Sequence, residues 1–255
     1  MEYFVKKDSI VREIWSKGDT VLFIFAGAAA EFALNKAVDW LYYTGRLPAD
    51  PLGRLFSTVT YARQIVFSEE QAALKAIDKI TSIHSAVEKN RNAKIPDWAY
   101  RDVLFMLIHY SLASFELMER KLTCSEKEEL YNVFMRLGNR MGLKELPVNF
   151  SEWQLSRSQH LQQDLVKSDL TIDLFKQYKK HLGFFRFKIL VEGQILVVPE
   201  SVKKLLHLRN FSLLTPLLSF YKLSRRIKFD KIVKYLILPA AYRKEIEELD
   251  IVPGI

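Results

Sequence analysis

Nine glycines and eight prolines are all that punctuate this chain of 255 residues. An all-β fold needs many tight turns, and this chain has few residues with which to make them. Long helices, by contrast, need few breakers. The sequence therefore predicts an all-α protein. Apolar residues make up 49% and charged residues 27%, a globular rather than a disordered balance. No Gly/Ser run, Pro-rich stretch, low-complexity block or repeat separates two halves. Residues 1–255 accordingly read as a single multi-helix domain, large enough to enclose a flat cofactor.

The single cysteine, Cys124, excludes an internal disulfide, a Cys-rich metal site and covalent attachment of haem through a cysteine pair. The first residues are charged throughout and lack an apolar signal core. The most apolar run, residues 21–30, is closed by Glu31 and falls well short of the roughly 20 residues that cross a bilayer. A soluble, cytoplasmic protein is expected. The net charge is +8, with Lys203, Lys204, Arg209, Lys222, Arg225, Arg226, Lys228, Lys231 and Lys234 gathered late in the chain. These alternate with apolar residues, as on a solvated helix face. They also admit peripheral contact with an anionic membrane surface. Nucleic acid is not expected as a partner, because the basic residues are not interleaved with a stacking pattern of aromatics.

Helical spacing and capping signals divide the chain further. Asp19 or Thr20 is a candidate cap for a helix running toward Tyr43, and residues 45–51 read as a loop. Asp50 is a candidate N-cap with Pro51 at the first helical position. Ser68 and Gln71 fit a capping box before a helix through His84 and Val87. Helices are expected after Pro96, after Thr123 or Ser125, and after Ser168, with starts or kinks at Pro199, Pro216 and Pro239. Residues 187–198 are the only strand-like stretch. His160, His181 and His207 lie in polar or basic surroundings and read as surface residues.

Several catalytic signatures are absent: GxGxxG, the P-loop, HExxH and CxxC. No histidine follows an acidic residue by three positions, which removes the paired Glu-x-x-His of di-iron bundles. What remains is single-histidine ligation, acid–base work, or no catalysis.

Six short segments then occur in a telling order. Asp50-Pro51-Leu52-Gly53-Arg54-Leu55-Phe56-Ser57-Thr58 resembles a D-P-x-x-R-L-x-x-T signature. Ile65-Val66-Phe67 precedes a helix carrying His84-Ser85-Ala86-Val87, similar to an H-x-x-V motif. Leu107-Ile108-His109-Tyr110-Ser111-Leu112 resembles a W-x-H-x-x-L helix. Tyr131 through Gly138, Met141-Gly142-Leu143 and Pro147 resemble a Y-x-E…LG…G…P block, and Leu238-Pro239 with Arg243 a late L-P-x-x-x-R turn. In this order they resemble the rubber-oxygenase family (latex-clearing protein and MpaB-type oxygenases). Four positions depart from it: Ser57 stands for a lysine, Glu88 for an arginine, Leu107 for a tryptophan and Val133 for a glutamate.

The resemblance implies a helical fold enclosing a non-covalent haem b, with His84 as the axial iron ligand. It places Arg54 and Thr58 beside the haem, as binding and catalytic residues. Their spacing of four puts both on one helix face, where a guanidinium can neutralise a buried propionate. His109 is the second candidate for the cofactor pocket. Glu31, Asp39 and Tyr61 are further pocket candidates. Taken without the resemblance, His84 and His109 are more readily read as core histidines. The implied activity is an O2-dependent cleavage of a carbon–carbon double bond in an apolar or isoprenoid-like substrate. The alternative is a helical protein that holds haem or lipid at a membrane surface without turnover.

Overall fold

The computed structural model describes residues 2–225 and 242–249, and the statements below concern those residues. In chain order they form α1 (Ile10–Ser16), α2 (Gly18–Phe32), α3 (Asp39–Tyr43), α4 (Arg46–Ala49), α5 (Pro51–Phe67), α6 (Glu70–Arg91) and α7 (Asp97–Met118). These are followed by α8 (Cys124–Arg140), α9 (Phe150–Gln163), α10 (Asp169–Val197), α11 (Glu200–Leu206), α12 (Thr215–Ser224) and α13 (Arg243–Leu249). Among the described residues the only β pairing is two isolated bridges, Tyr3 with Glu69 and Asn35 with Leu165. The protein is all-α. No described helix is long and apolar enough to cross a membrane.

The centre of the fold is the contact of α2 with α7, and α10 covers α2 from another side. α2 can approach closely because its middle is Ala26-Gly27-Ala28-Ala29-Ala30. A Cβ on Gly27 would overlap the ring of Tyr110 on α7 and lie 3.0 Å from the Val197 side chain. Trp15, Ile24, Phe105, Ile108, Tyr110 and Phe115 are fully buried around this contact. α5 and α6 pack as a hairpin against α1 and α8.

Local signals set most helix ends. Asp50 caps α5 by accepting from the Gly53 amide at 2.9 Å, with Pro51 in the first turn. Thr123 and Glu126 form a capping box on α8, and Ser168 with Thr171 forms one on α10.

Other boundaries differ from the sequence reading. The helix expected to reach Tyr43 ends at Phe32, and α3 begins only at Asp39. α2 starts at Gly18, capped by Lys17 without a side-chain bond, so neither Asp19 nor Thr20 is the cap. Residues 46–49, read as loop, form the short α4. Glu69 is the N-cap of α6, so the Ser68 box does not form.

Residues 187–198 are not a strand. Residues 187–197 lie in the second half of α10, beyond a kink at Gly183, whose φ is 74°, and Val198 caps it. Their aromatic and branched residues favour strands locally, but packing along α2 overrides that preference. Pro239 and the turn at Leu238 lie outside the described residues.

Replacing Gly27 by Val should force α2 and α7 apart. The expected loss is about 1–3 kcal/mol, the usual cost of overpacking a filled core, read as a lower midpoint in thermal or urea unfolding.

Candidate functional site

Arg54 and Thr58 project from one face of α5. The Arg54 Nη1 donates to Thr58 Oγ1 at 2.6 Å, and the Thr58 hydroxyl donates back to the Arg54 carbonyl at 3.1 Å. Ser57 Oγ also lies 3.4 Å from Nη1. The guanidinium is therefore held by its own helix and bears on His84 of the neighbouring α6. Burial lowers the His84 pKa, and the charge of Arg54 lowers it further against the opposing pull of Glu88. The imidazole is thus kept neutral, the form that ligates a metal. Its Nδ1 is buried and has no hydrogen-bond partner. The ring meets Tyr100 of α7 edge-on at 5.2 Å, and the Tyr100 hydroxyl donates to Glu88 at 3.2 Å. Glu88 also accepts from the Ile95 amide at 2.9 Å, fastening the turn between α6 and α7. Where the resemblance places an arginine, this chain uses a carboxylate brace.

His109 does not join this group. It follows Tyr100 on α7 by nine residues, which at 100° per residue is the opposite face. The Val197 backbone acts on the ring, while Nε2 is buried without a partner. Burial, then Arg157, push its pKa down to about 4.

Glu31 is no free base. It accepts two bonds from Arg157, one at 2.5 Å, and a third from the Tyr110 hydroxyl at 2.8 Å. Burial opposes the charge on Arg157, but Glu31 more than offsets it and raises the pKa. Asp39 pairs with Arg91 at 2.6 Å on the surface, and Tyr61 lies under Lys79. His207 is exposed and His181 partly so, but His160 is 9% exposed and not a surface residue. Its Nδ1 faces Asp102 Oδ1 at 2.7 Å and Asp164 Oδ2 at 2.5 Å.

Sequence reasoning missed Arg157 and His160 because α9 looks polar, and missed Asp102 because it is a lone acid on the apolar α7 whose partners come from distant segments. One signal was present: Trp153, Arg157 and His160 stand at i, i+4 and i+7. They form a single stripe led by a large apolar residue, and these three are the buried residues of α9.

An apolar cavity of about 450 Å³ lies between α2, α5, α10 and α12, lined among others by Phe23, Ala26, Phe56, Val59, Leu190 and Leu218. On α5 its lining residues, Leu52, Leu55, Phe56 and Val59, form the stripe facing away from Arg54 and Thr58. No histidine lines it. α5 is thus a wall with a cationic, hydrogen-bonded side toward His84 and a greasy side toward the cavity.

The family model described as "ER-bound oxygenase mpaB/B'/Rubber oxygenase, catalytic domain" matches residues 15–169. That is more than half of the chain, and the chain belongs to this family of oxygenase catalytic domains. The matched segment contains Arg54, Thr58, His84, His109 and the Glu31–Arg157 pair. No curated protein and no solved structure matches the chain significantly.

The depressed His109 pKa has a direct consequence for acid stability. Below the ordinary value of 6.5 the unfolded chain binds a proton that the folded chain refuses until about pH 4. Stability should therefore fall as pH drops through that window, by up to ~3 kcal/mol. Urea midpoints measured between pH 7 and 4 should show this slope, and His109→Gln should flatten it.

Proposed function

We propose that the chain is a haem b-dependent oxygenase that cleaves a carbon–carbon double bond of an apolar or isoprenoid-like substrate with O2. The observation that carries this reading is His84: a neutral imidazole with an unpartnered buried nitrogen, set beside a fixed guanidinium, inside the segment that matches the oxygenase family. The donor set fits haem. His84 would hold the iron through its ring nitrogen, Arg54 would neutralise a propionate, and Thr58 would offer that propionate a hydroxyl. Haem, when bound, supplies the iron at which oxygen is activated. Both oxygen atoms end in the two carbonyl products, so the overall reaction consumes no reductant. The apolar substrate rests on the rubber-oxygenase family match, since the cavity lies across α5 from His84. His109 has no assigned part, since it faces the other side of α7. The domain is taken as one unit over residues 1–255.

Haem-reconstituted protein should show a Soret band, and His84→Ala should lose or shift it, with O2 uptake abolished. A fully loaded His84→Ala protein with an unchanged spectrum would refute the ligand assignment.

A second reading is favoured by the cavity itself. It has no histidine, lies across α5 from Arg54, and is lined in part by the exposed Leu217 and Phe220 of α12, while Phe184 and Phe185 are exposed at the α10 kink. Lys179 and Lys188 sit over the Phe184 ring, and Arg209 over Phe211. Aromatic residues ringed by cations suit an anionic lipid surface. In this reading the protein takes up a lipid or other apolar chain there without turnover. Co-sedimentation with vesicles containing anionic lipid, weakening as salt rises and lost in Phe184→Ser/Phe220→Ser, is the expected result. Equal binding to neutral vesicles, or none, counts against it.

A further inference from the structure

The convergence of Asp102, His160 and Asp164 is not part of the His84 site. Asp102 comes from α7, His160 from the last turn of α9, and Asp164 is the residue that caps α9. One oxygen or nitrogen from each lies within 4.8 Å of the other two. The fit is incomplete without something further. Nδ1 of His160 can carry one proton, yet two carboxylate oxygens face it at 2.7 and 2.5 Å. Asp102 is 2% exposed, and its Oδ1 has no hydrogen bond of acceptable geometry. Its other oxygen is taken by Asn35 Nδ2 at 2.6 Å, and Asn35 is fixed in turn by accepting from the Ala37 amide at 2.8 Å. The free oxygen is thus aimed at the cluster by a partner on its far side, as in the outer shell of a metal site.

The charges point the same way. Nearby Arg157 gives two hydrogen bonds to Glu31 and acts on Asp102 only through space, and Lys36 Nζ donates to the Gln163 carbonyl. Within hydrogen-bond reach, two carboxylates, one of them buried, share a single imidazole. A buried carboxylate must be paired or must bind a cation.

We propose that Asp102 Oδ1, His160 Nδ1 and Asp164 Oδ2 bind one divalent first-row transition-metal ion, such as Zn²⁺ or Mn²⁺, which ties α7 to the end of α9. Two oxygens and one imidazole nitrogen suit such ions better than Ca²⁺, which takes oxygen alone, or Cu⁺, which prefers sulfur. Bonds of about 2.0–2.2 Å require the ligand atoms to stand roughly 3 Å or more apart. Binding therefore spreads the cluster by a few tenths of an ångström, which the partly exposed Asp164 at the helix end can accommodate. The ion takes the place of the proton on Nδ1, so affinity rises with pH.

The test uses the full chain after dialysis against a chelator, titrated with Zn²⁺, Mn²⁺ and Co²⁺. One equivalent should bind, with Co²⁺ giving visible d–d absorption that Zn²⁺ abolishes, and the thermal midpoint should rise with metal. Asp102→Asn, His160→Gln and Asp164→Asn should each weaken binding at least tenfold. Asp164→Asn, at the least buried ligand, keeps the test valid if the other two fail to fold, with far-UV circular dichroism as the check. His84→Ala should bind the ion as wild type does, which separates this site from any haem. The proposal is overturned if the wild-type chain shows no saturable one-to-one binding of any of the three ions, or if a folded Asp164→Asn binds with unchanged affinity.

Discussion

The Glu31–Arg157 ion pair is the constraint around which the domain is arranged. Both side chains are almost completely buried, and they meet in a two-pronged contact that the Tyr110 hydroxyl completes. Withdrawing two charges from water is costly, and close geometry with satisfied lone pairs is what makes it tolerable. That geometry needs α2, α7 and α9 at one set of distances. Gly27 permits the Tyr110 ring to approach α2, and the hydroxyl at the end of that ring then reaches Glu31. Small-residue packing and charge pairing are therefore two sides of one contact. A polar cluster of this kind tolerates few alternative packings, because any shift leaves a charge alone in a medium that cannot solvate it.

Around this centre the protein keeps two chemically different faces on one helix. α5 turns Arg54 and Thr58 toward His84, where burial and a neighbouring cation hold the imidazole neutral. It turns Leu55, Phe56 and Val59 toward an apolar cavity. The C-terminal elements close over this helix. Tyr242 stacks on Phe56 at 5.3 Å and its hydroxyl reaches Asp50, while Arg225 joins Asp19 and Glu119 across the start of α2 and the end of α7. Membership in the oxygenase family fits an arrangement that separates a polar, histidine-bearing side from an oily one. The departures at Ser57 and Glu88 show where this member differs: the first only adds a hydroxyl near Arg54, and the second becomes a brace for Tyr100 and the α6–α7 turn.

Much of the site was legible because it is local. Arg54 and Thr58 are one helical turn apart, so their shared face follows from helix geometry alone. The Asp50 cap and the helix starts after Thr123 and Ser168 were readable for the same reason. His160 was misread because its neighbours Ser156, Arg157, Ser158 and Gln159 are polar, and polarity suggested solvent. Its burial depends on Asp102, 58 positions earlier, and on Arg157 having a buried acidic partner on α2. Residues 187–198 were misread for a parallel reason: their side chains favour a strand, and only the face of α2 against which they pack makes them helix.

The sequence by itself determined the all-α class, the main helix caps, the pairing of Arg54 with Thr58 on one face, and the order of motifs that marks the family. Each of these depends on residues a few positions apart or on composition. The tertiary structure alone decided that the charge of Arg54 bears on His84 while His109 looks the other way, that Glu31 is paired rather than free, and that Asp102, His160 and Asp164 converge. Those outcomes rest on desolvation and charge pairing between distant segments. Burial multiplies the strength of an electrostatic contact, and burial does not exist until the helices have packed.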